Sequence, residues 1–157
     1  MSLLIAQGSY LPAMAVFSAA ALSDAVDGPV ARARHETSDR GRWLDPFADK
    51  VLVVGALAAL EIRGLVPPWA LLLIAAREVA ALWVRERSPR ALPAAADGKV
   101  KTALQALAIA ATLLAAGSGS PAIAVAATAI LVAAVALTLV SGVRLIHRAF
   151  QTTADAR

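Results

Sequence analysis

The sequence has no cysteine. Disulfides, thiolate metal sites and cysteine nucleophiles are therefore excluded. It also lacks any strand-like alternation of apolar and polar residues, any low-complexity tail and any internal repeat. Charge is missing over long stretches: residues 1–23, 51–60, 64–76 and 102–143 carry none. What is present fits those gaps. The chain has 157 residues, a length that suits one domain, and 59% of them are hydrophobic. Its mean hydropathy is +0.69, and its apolar share lies well above that of a soluble domain. These features predict a single all-α domain over residues 1–157, a polytopic membrane helix bundle.

The basic residues number 15, of which 12 are arginine, against 11 acidic ones. The isoelectric point near 10.3 would suit a nucleic-acid binder. Here, however, the cations flank apolar runs, where they contact lipid headgroups and fix topology. Membrane lipid is the expected partner, and nucleic acid is not. The wealth of arginine and alanine points to a GC-rich, bacterial source. The uncharged start has no basic leader and runs directly into acidic residues, so it does not read as a cleavable signal.

Five long helices are predicted, at roughly 9–34, 41–62, 67–88, 98–117 and 121–150. A spanning helix needs about 20 apolar residues. The 42 uncharged residues at 102–143 therefore make two helices, with a tight turn at the Gly-Ser-Gly-Ser-Pro stretch 117–121. Arg32, Arg34, Arg40, Arg42 and Lys50 crowd the first connection. Arg85, Arg87, Arg90, Lys99 and Lys101 crowd the third, and Arg144, Arg148 and Arg157 the C-terminal end. The positive-inside rule puts these regions in the cytoplasm. Five spans then leave Met1 outside, so a further helix upstream is expected, or only its end is retained in residues 1–8.

The chemistry-bearing stretch begins at Asp24 and Asp27, three residues apart at the end of one helix. Asp45 and Asp49, four apart, begin the next. Each pair shares a helix face, and the short basic connection lets the two pairs converge. Four ionised carboxylates in a membrane protein repel one another and are costly to desolvate. Divalent cations remove that objection, and hard oxygen donors suit Mg²⁺ or Mn²⁺, the usual partners of substrate phosphates. Gly28 leaves room for close approach of a phosphate, and Arg32 can neutralise a pyrophosphate. Taken singly, each aspartate also reads as a helix cap or an interface charge; Asp45, just before Pro46, is placed as a cap would be.

The stretch resembles the signature of the CDP-alcohol phosphatidyltransferase family, D-x2-D-G-x2-A-R-x8-G-x3-D-x3-D. Asp24, Asp27, Gly28, Ala31, Arg32, Gly41, Asp45 and Asp49 meet every fixed position. The resemblance implies a six-helix membrane fold, of which five long helices are seen here, and two Mg²⁺ or Mn²⁺ ions. It implies CDP-diacylglycerol as donor and a homodimer; with the charge pattern and composition above, the site is expected on the cytoplasmic face of a bacterial inner membrane. Asp24, Asp27 and Asp45 would bind metal, and Asp49 would bind metal and act as the base. Gly28, Arg32, Ser38 and Gly41 fall where family members hold the CDP-lipid, although Ser38 reads equally well as a solvated loop serine.

Three further segments look like those of the family's phosphatidylglycerophosphate-forming branch. They are Asp45-Pro-Phe-Ala-Asp49-Lys50, Ala76-Arg77-Glu78 and Gly98-Lys99-Val-Lys101-Thr102. The last is shared with some cardiolipin synthases. This likeness implies transfer of a phosphatidyl group to a small phosphorylated alcohol, sn-glycerol 3-phosphate, with release of CMP. Other acceptors, inositol phosphate or phosphatidylglycerol, stay open, as does a membrane cation transporter that uses the aspartates as its ion site. Family members usually open with an amphipathic helix and a first span that nothing here matches, so the domain reads as N-terminally short and an inactive homologue stays open too.

Arg77 and Glu78 stand in an apolar helix, where an ionisable residue is a functional candidate. Arg77 reads as a ligand of the acceptor's phosphate, or as a local ion pair. Lys99 and Lys101 read as acceptor ligands, or as anchors at anionic lipid. His35 and His147 have no second histidine at ligand spacing. Trp43, Trp69 and Trp83 read as interfacial-belt residues.

Overall fold

The computed structural model describes the backbone of residues 1–33, 39–87 and 96–154, and the side chains of 1–23, 50–84 and 100–147. Among the described residues there are six helices and no strand. They are α1 (Ser2–Ala6), α2 (Tyr10–Ala33), α3 (Asp39–Ile62), α4 (Pro68–Arg87), α5 (Ala96–Ser118) and α6 (Pro121–Ala154). The five long ones follow the apolar runs. Residues 2–6, within the stretch expected to hold the end of a first helix, form the short α1.

Local chemistry sets the breaks. After α3, Gly64 takes a left-handed φ of 68°. Its N–H donates to the Glu61 carbonyl at 2.7 Å and the Leu65 N–H to the Leu60 carbonyl at 2.9 Å. This is the Schellman pattern, which satisfies the last carbonyls of a helix. Gly119 closes α5 in the simpler way, at φ 64°, its N–H donating to the Ala115 carbonyl at 2.9 Å. Pro68 and Pro121 then open α4 and α6, where a missing N–H costs nothing.

The α5–α6 hairpin forms the most extensive helix pair; α6 also packs on α4, and α5 on α2 and α3. The core joins Ile5 and Phe17 to Val53, Leu57 and Leu60 of α3, Ile74 of α4, Ile109 and Leu113 of α5, and Leu131 of α6. Ala13, Ala56, Ala70, Ala108 and Ala134 fill the crossings, and such small residues let helix backbones approach in a membrane. Gln105 donates to Thr138 Oγ1 at 2.9 Å across the hairpin, which satisfies polar groups that lipid cannot.

The outer surface is apolar. Leu72, Val79, Val125 and Val143 are each more than 60% exposed. The segments Val100–Ser118 and Pro121–His147 are long and apolar enough to cross a bilayer, and Tyr10–Ser23 is a shorter apolar stretch. A large exposed apolar surface built on such helices is a lipid-facing one. The protein is a membrane helix bundle. Trp69 and Trp83, both about half exposed, stand in the first and last turns of α4.

One contact tests the packing. A Cβ added at Gly117 would come within 2.7 Å of Leu11 Cγ and 3.4 Å of the Leu11 backbone nitrogen. Gly117→Ala is expected to push α2 and α5 apart and destabilise the detergent-solubilised protein by about 1–3 kcal/mol. Gly55 has open space around it, so Gly55→Ala serves as the control and should leave the thermal midpoint unchanged or raised.

Candidate functional site

The signature occupies two consecutive helices. Asp24, Asp27, Gly28 and Arg32 belong to the C-terminal part of α2; Gly41, Asp45 and Asp49 belong to the N-terminal part of α3. Both stretches are helical, so the three- and four-residue spacings place each aspartate pair at neighbouring register positions. Helices α2 and α3 pack against each other. The side chains of these seven residues lie outside the described residues, and Ser38 lies outside them altogether. Helix α3 starts at Asp39, seven residues before Pro46. Asp45 is thus well inside a helix, and its reading as an N-cap is not met.

Described side chains resume at Lys50, the residue after Asp49, and there the chain builds a buried ionic cluster. Its centre is Glu78 on α4, which is 6% exposed. Lys50 of α3 donates to Glu78 Oε2. Lys101 of α5, 3% exposed, donates to Glu78 Oε1. Arg77 Nη1 donates to the same Oε1 at 3.1 Å, and Arg77 Nη2 donates to Ser141 Oγ on α6 at 2.6 Å. Arg77 Nε is buried and has no hydrogen-bond partner among the described residues. Gly142 lets α4 approach here: a Cβ at that position would stand 3.3 Å from Arg77 Cγ. Side chains of α3, α4 and α5 thus meet at one carboxylate, and α6 joins the cluster through Ser141 and Arg77.

Charge decides what the cluster can do. Among the described side chains, Lys50, Arg77 and Lys101 supply three positive charges and Glu78 one negative, which leaves a surplus of two. Buried charge is expensive unless paired. A surplus of this size beside an unsatisfied guanidinium N–H suits a doubly charged anion.

Sequence reasoning named Arg77 and Lys101 and noted Glu78, and the structure brings these three together. It missed Lys50. The available signal was a lone lysine directly before the uncharged run 51–60. The structure does not treat Lys99 and Lys101 alike: two positions on a helix point about 200° apart, Lys101 is buried, and the Lys99 side chain lies outside the described residues. Among the described residues no group of three His, Asp or Glu side chains could hold a metal; the side chains of the four aspartates lie outside them.

The family profile for CDP-alcohol phosphatidyltransferases matches residues 1–140. A probable phosphatidylglycerophosphate synthase of Mycobacterium tuberculosis is 35% identical over 147 residues, which covers 92% of this chain and 69% of that protein. A CDP-diacylglycerol–glycerol-3-phosphate 3-phosphatidyltransferase of Bacillus subtilis is 36% identical over 109 residues, covering 68% and 56%. A CMP-forming cardiolipin synthase of Streptomyces coelicolor is 38% identical over a shorter 66 residues, covering 42% and 31%. With its eight signature positions on α2 and α3 and a profile match over most of its length, the chain belongs to the CDP-alcohol phosphatidyltransferase family.

Proposed function

We propose that the protein transfers a phosphatidyl group from CDP-diacylglycerol to sn-glycerol 3-phosphate, in a bacterial inner membrane with its site on the cytoplasmic side. The observation that carries the choice of acceptor is the cationic cluster one residue beyond Asp49. A phosphomonoester carries nearly two negative charges at neutral pH, which balances the surplus of two. Phosphatidylglycerol, the acceptor of a cardiolipin synthase, brings only one. The relatives with the widest coverage are named for the glycerol phosphate reaction.

Asp24, Asp27, Asp45 and Asp49 would hold the divalent metal. They form an all-carboxylate donor set, which fits Mg²⁺ or Mn²⁺. When bound, such ions offset the charge of the diphosphate and stabilise the departing CMP. The protein's own residues do the rest. Arg32, with Gly28 and Gly41 beside the aspartates, holds the CDP-lipid. Arg77 and Lys101 hold the acceptor's phosphate. Asp49 takes the proton from the acceptor hydroxyl as that oxygen attacks the lipid-side phosphorus. The new P–O bond forms as the bond to CMP breaks, and CMP leaves.

The test is CMP release from CDP-diacylglycerol by the purified protein, with glycerol phosphate, inositol phosphate and phosphatidylglycerol as separate acceptors. Release is expected with glycerol phosphate, lost on chelation and restored by Mg²⁺ or Mn²⁺. Release with phosphatidylglycerol alone would overturn the acceptor. Release with none would mark an inactive homologue.

A further inference from the structure

The cluster has a feature that binding of an acceptor phosphate does not require. One carboxylate, Glu78, receives cations from three different helices. A buried lysine needs one counter-charge. If Glu78 served only to neutralise Lys101, there would be no reason for Lys50 and Arg77 to converge on it as well, because each further cation adds repulsion at low dielectric. The geometry also divides the work. Oε2 takes Lys50, which is covalently next to Asp49, while Oε1 takes both Arg77 and Lys101. The two oxygens of one rigid carboxylate therefore set the spacing between α3, where Asp49 sits, and the cations of α4 and α5. Ser141 fixes the other arm of Arg77, and Gly142 keeps α6 close enough for that contact.

We infer that Glu78 is a positioning residue of the acceptor site: it holds Arg77 and Lys101 ready for a phosphomonoester and registers them, through Lys50, against the helix that carries Asp49. This rests on the acceptor reading proposed above. Glu78 touches neither substrate nor metal in this role. It acts through the three cations, keeping their charge concentrated in one place where three mutually repelling side chains would otherwise spread apart.

The experiment uses the full chain in detergent, as wild type, Glu78→Gln and Glu78→Asp, with two measurements on each. The first is steady-state CMP release, varying each substrate in turn. Glu78→Gln is expected to raise the acceptor KM by about tenfold or more while the CDP-diacylglycerol KM changes by less than about threefold, because a selective KM change marks lost binding of one substrate. Glu78→Asp keeps the charge but is one methylene shorter. It is expected to fold and to give an intermediate acceptor KM. The second measurement is the rise in thermal midpoint on adding inorganic phosphate, expected for wild type and largely lost in Glu78→Gln. A counter-ion with a purely structural role predicts less folded protein with both KM values unchanged in what survives, and that result would overturn the inference while leaving the proposed reaction standing. If Glu78→Gln does not fold, a wild-type acceptor KM in Glu78→Asp overturns it. If wild type releases no CMP with glycerol phosphate, the proposed acceptor fails. The positioning role is then decided by phosphate stabilisation, which must differ between wild type and the Glu78 variants or the inference falls.

Discussion

Replacing Asp49 with asparagine is expected to abolish CMP release while leaving CDP-diacylglycerol bound. Asparagine keeps the shape of the side chain and a carbonyl oxygen, but its amide cannot take a proton as a base. General base help is typically worth about 10²–10⁴-fold, so single-turnover CMP release should fall by at least that much. The substitution should not disturb the neighbouring ionic cluster. Lys50 makes its bond to Glu78 with its own side chain, and position 49 lies within a continuous helix, where asparagine costs only a few tenths of a kcal/mol. Since Asp49 is also placed among the metal ligands, some metal affinity should be lost. The two effects separate on titration. If lost metal affinity were the whole cause, raising Mg²⁺ or Mn²⁺ would restore turnover. A base leaves the defect in place at saturating metal. Donor binding, measured by displacement of a labelled CDP-lipid, should survive. Near-normal release by Asp49→Asn would exclude the base assignment.

The helices were legible in the sequence because their signals are local. Uncharged runs mark lengths, and the glycine and proline at 64, 68, 119 and 121 mark ends. The expected boundaries at 62, 67 and 121 agree with α3, α4 and α6 to within a residue. The signature was legible for the same reason, since its eight fixed positions fall within one short stretch. The cluster was only half legible. Lys50 and Glu78 are 28 residues apart, and Glu78 and Lys101 are 23 apart. No periodicity within one helix brings them together; the packing of α3, α4 and α5 does. Proximity along the chain was a poor guide at Lys99 and Lys101, because helical geometry turns neighbours two apart to different sides. The bounds of the short α1, inside the stretch 1–8 read only as a helix end, were not legible because it has no charge and no side-chain cap. It is held by tertiary burial of Ile5 and closed by Gly8 at φ 75°.

Arg77→Lys is expected to raise the apparent KM for glycerol phosphate by about tenfold to a hundredfold, because a hydrogen bond to a charged group is worth roughly 1.5–3 kcal/mol and each 1.4 kcal/mol is tenfold. The KM for CDP-diacylglycerol should change little. The arginine is held on two sides, by Glu78 Oε1 at 3.1 Å and by Ser141 Oγ at 2.6 Å. Its third nitrogen, Nε, is buried and has no partner among the described residues, a state that costs about 1–3 kcal/mol for a polar group left unpaired. An incoming phosphate oxygen removes that cost. A lysine carries the same charge but a single ammonium in place of the planar fork, so it cannot hold Glu78 and Ser141 and still offer a further directed donor. Because the charge is kept beside Glu78, the variant should still fold. That property makes the measurement decisive. If Arg77 were only the local partner of Glu78, a lysine could replace it, and neither KM would move. Steady-state kinetics on folded protein, varying each substrate in turn, separates the two cases. Equal changes in both KM values would count against Arg77 as an acceptor ligand, and with it against a phosphorylated acceptor at this cluster.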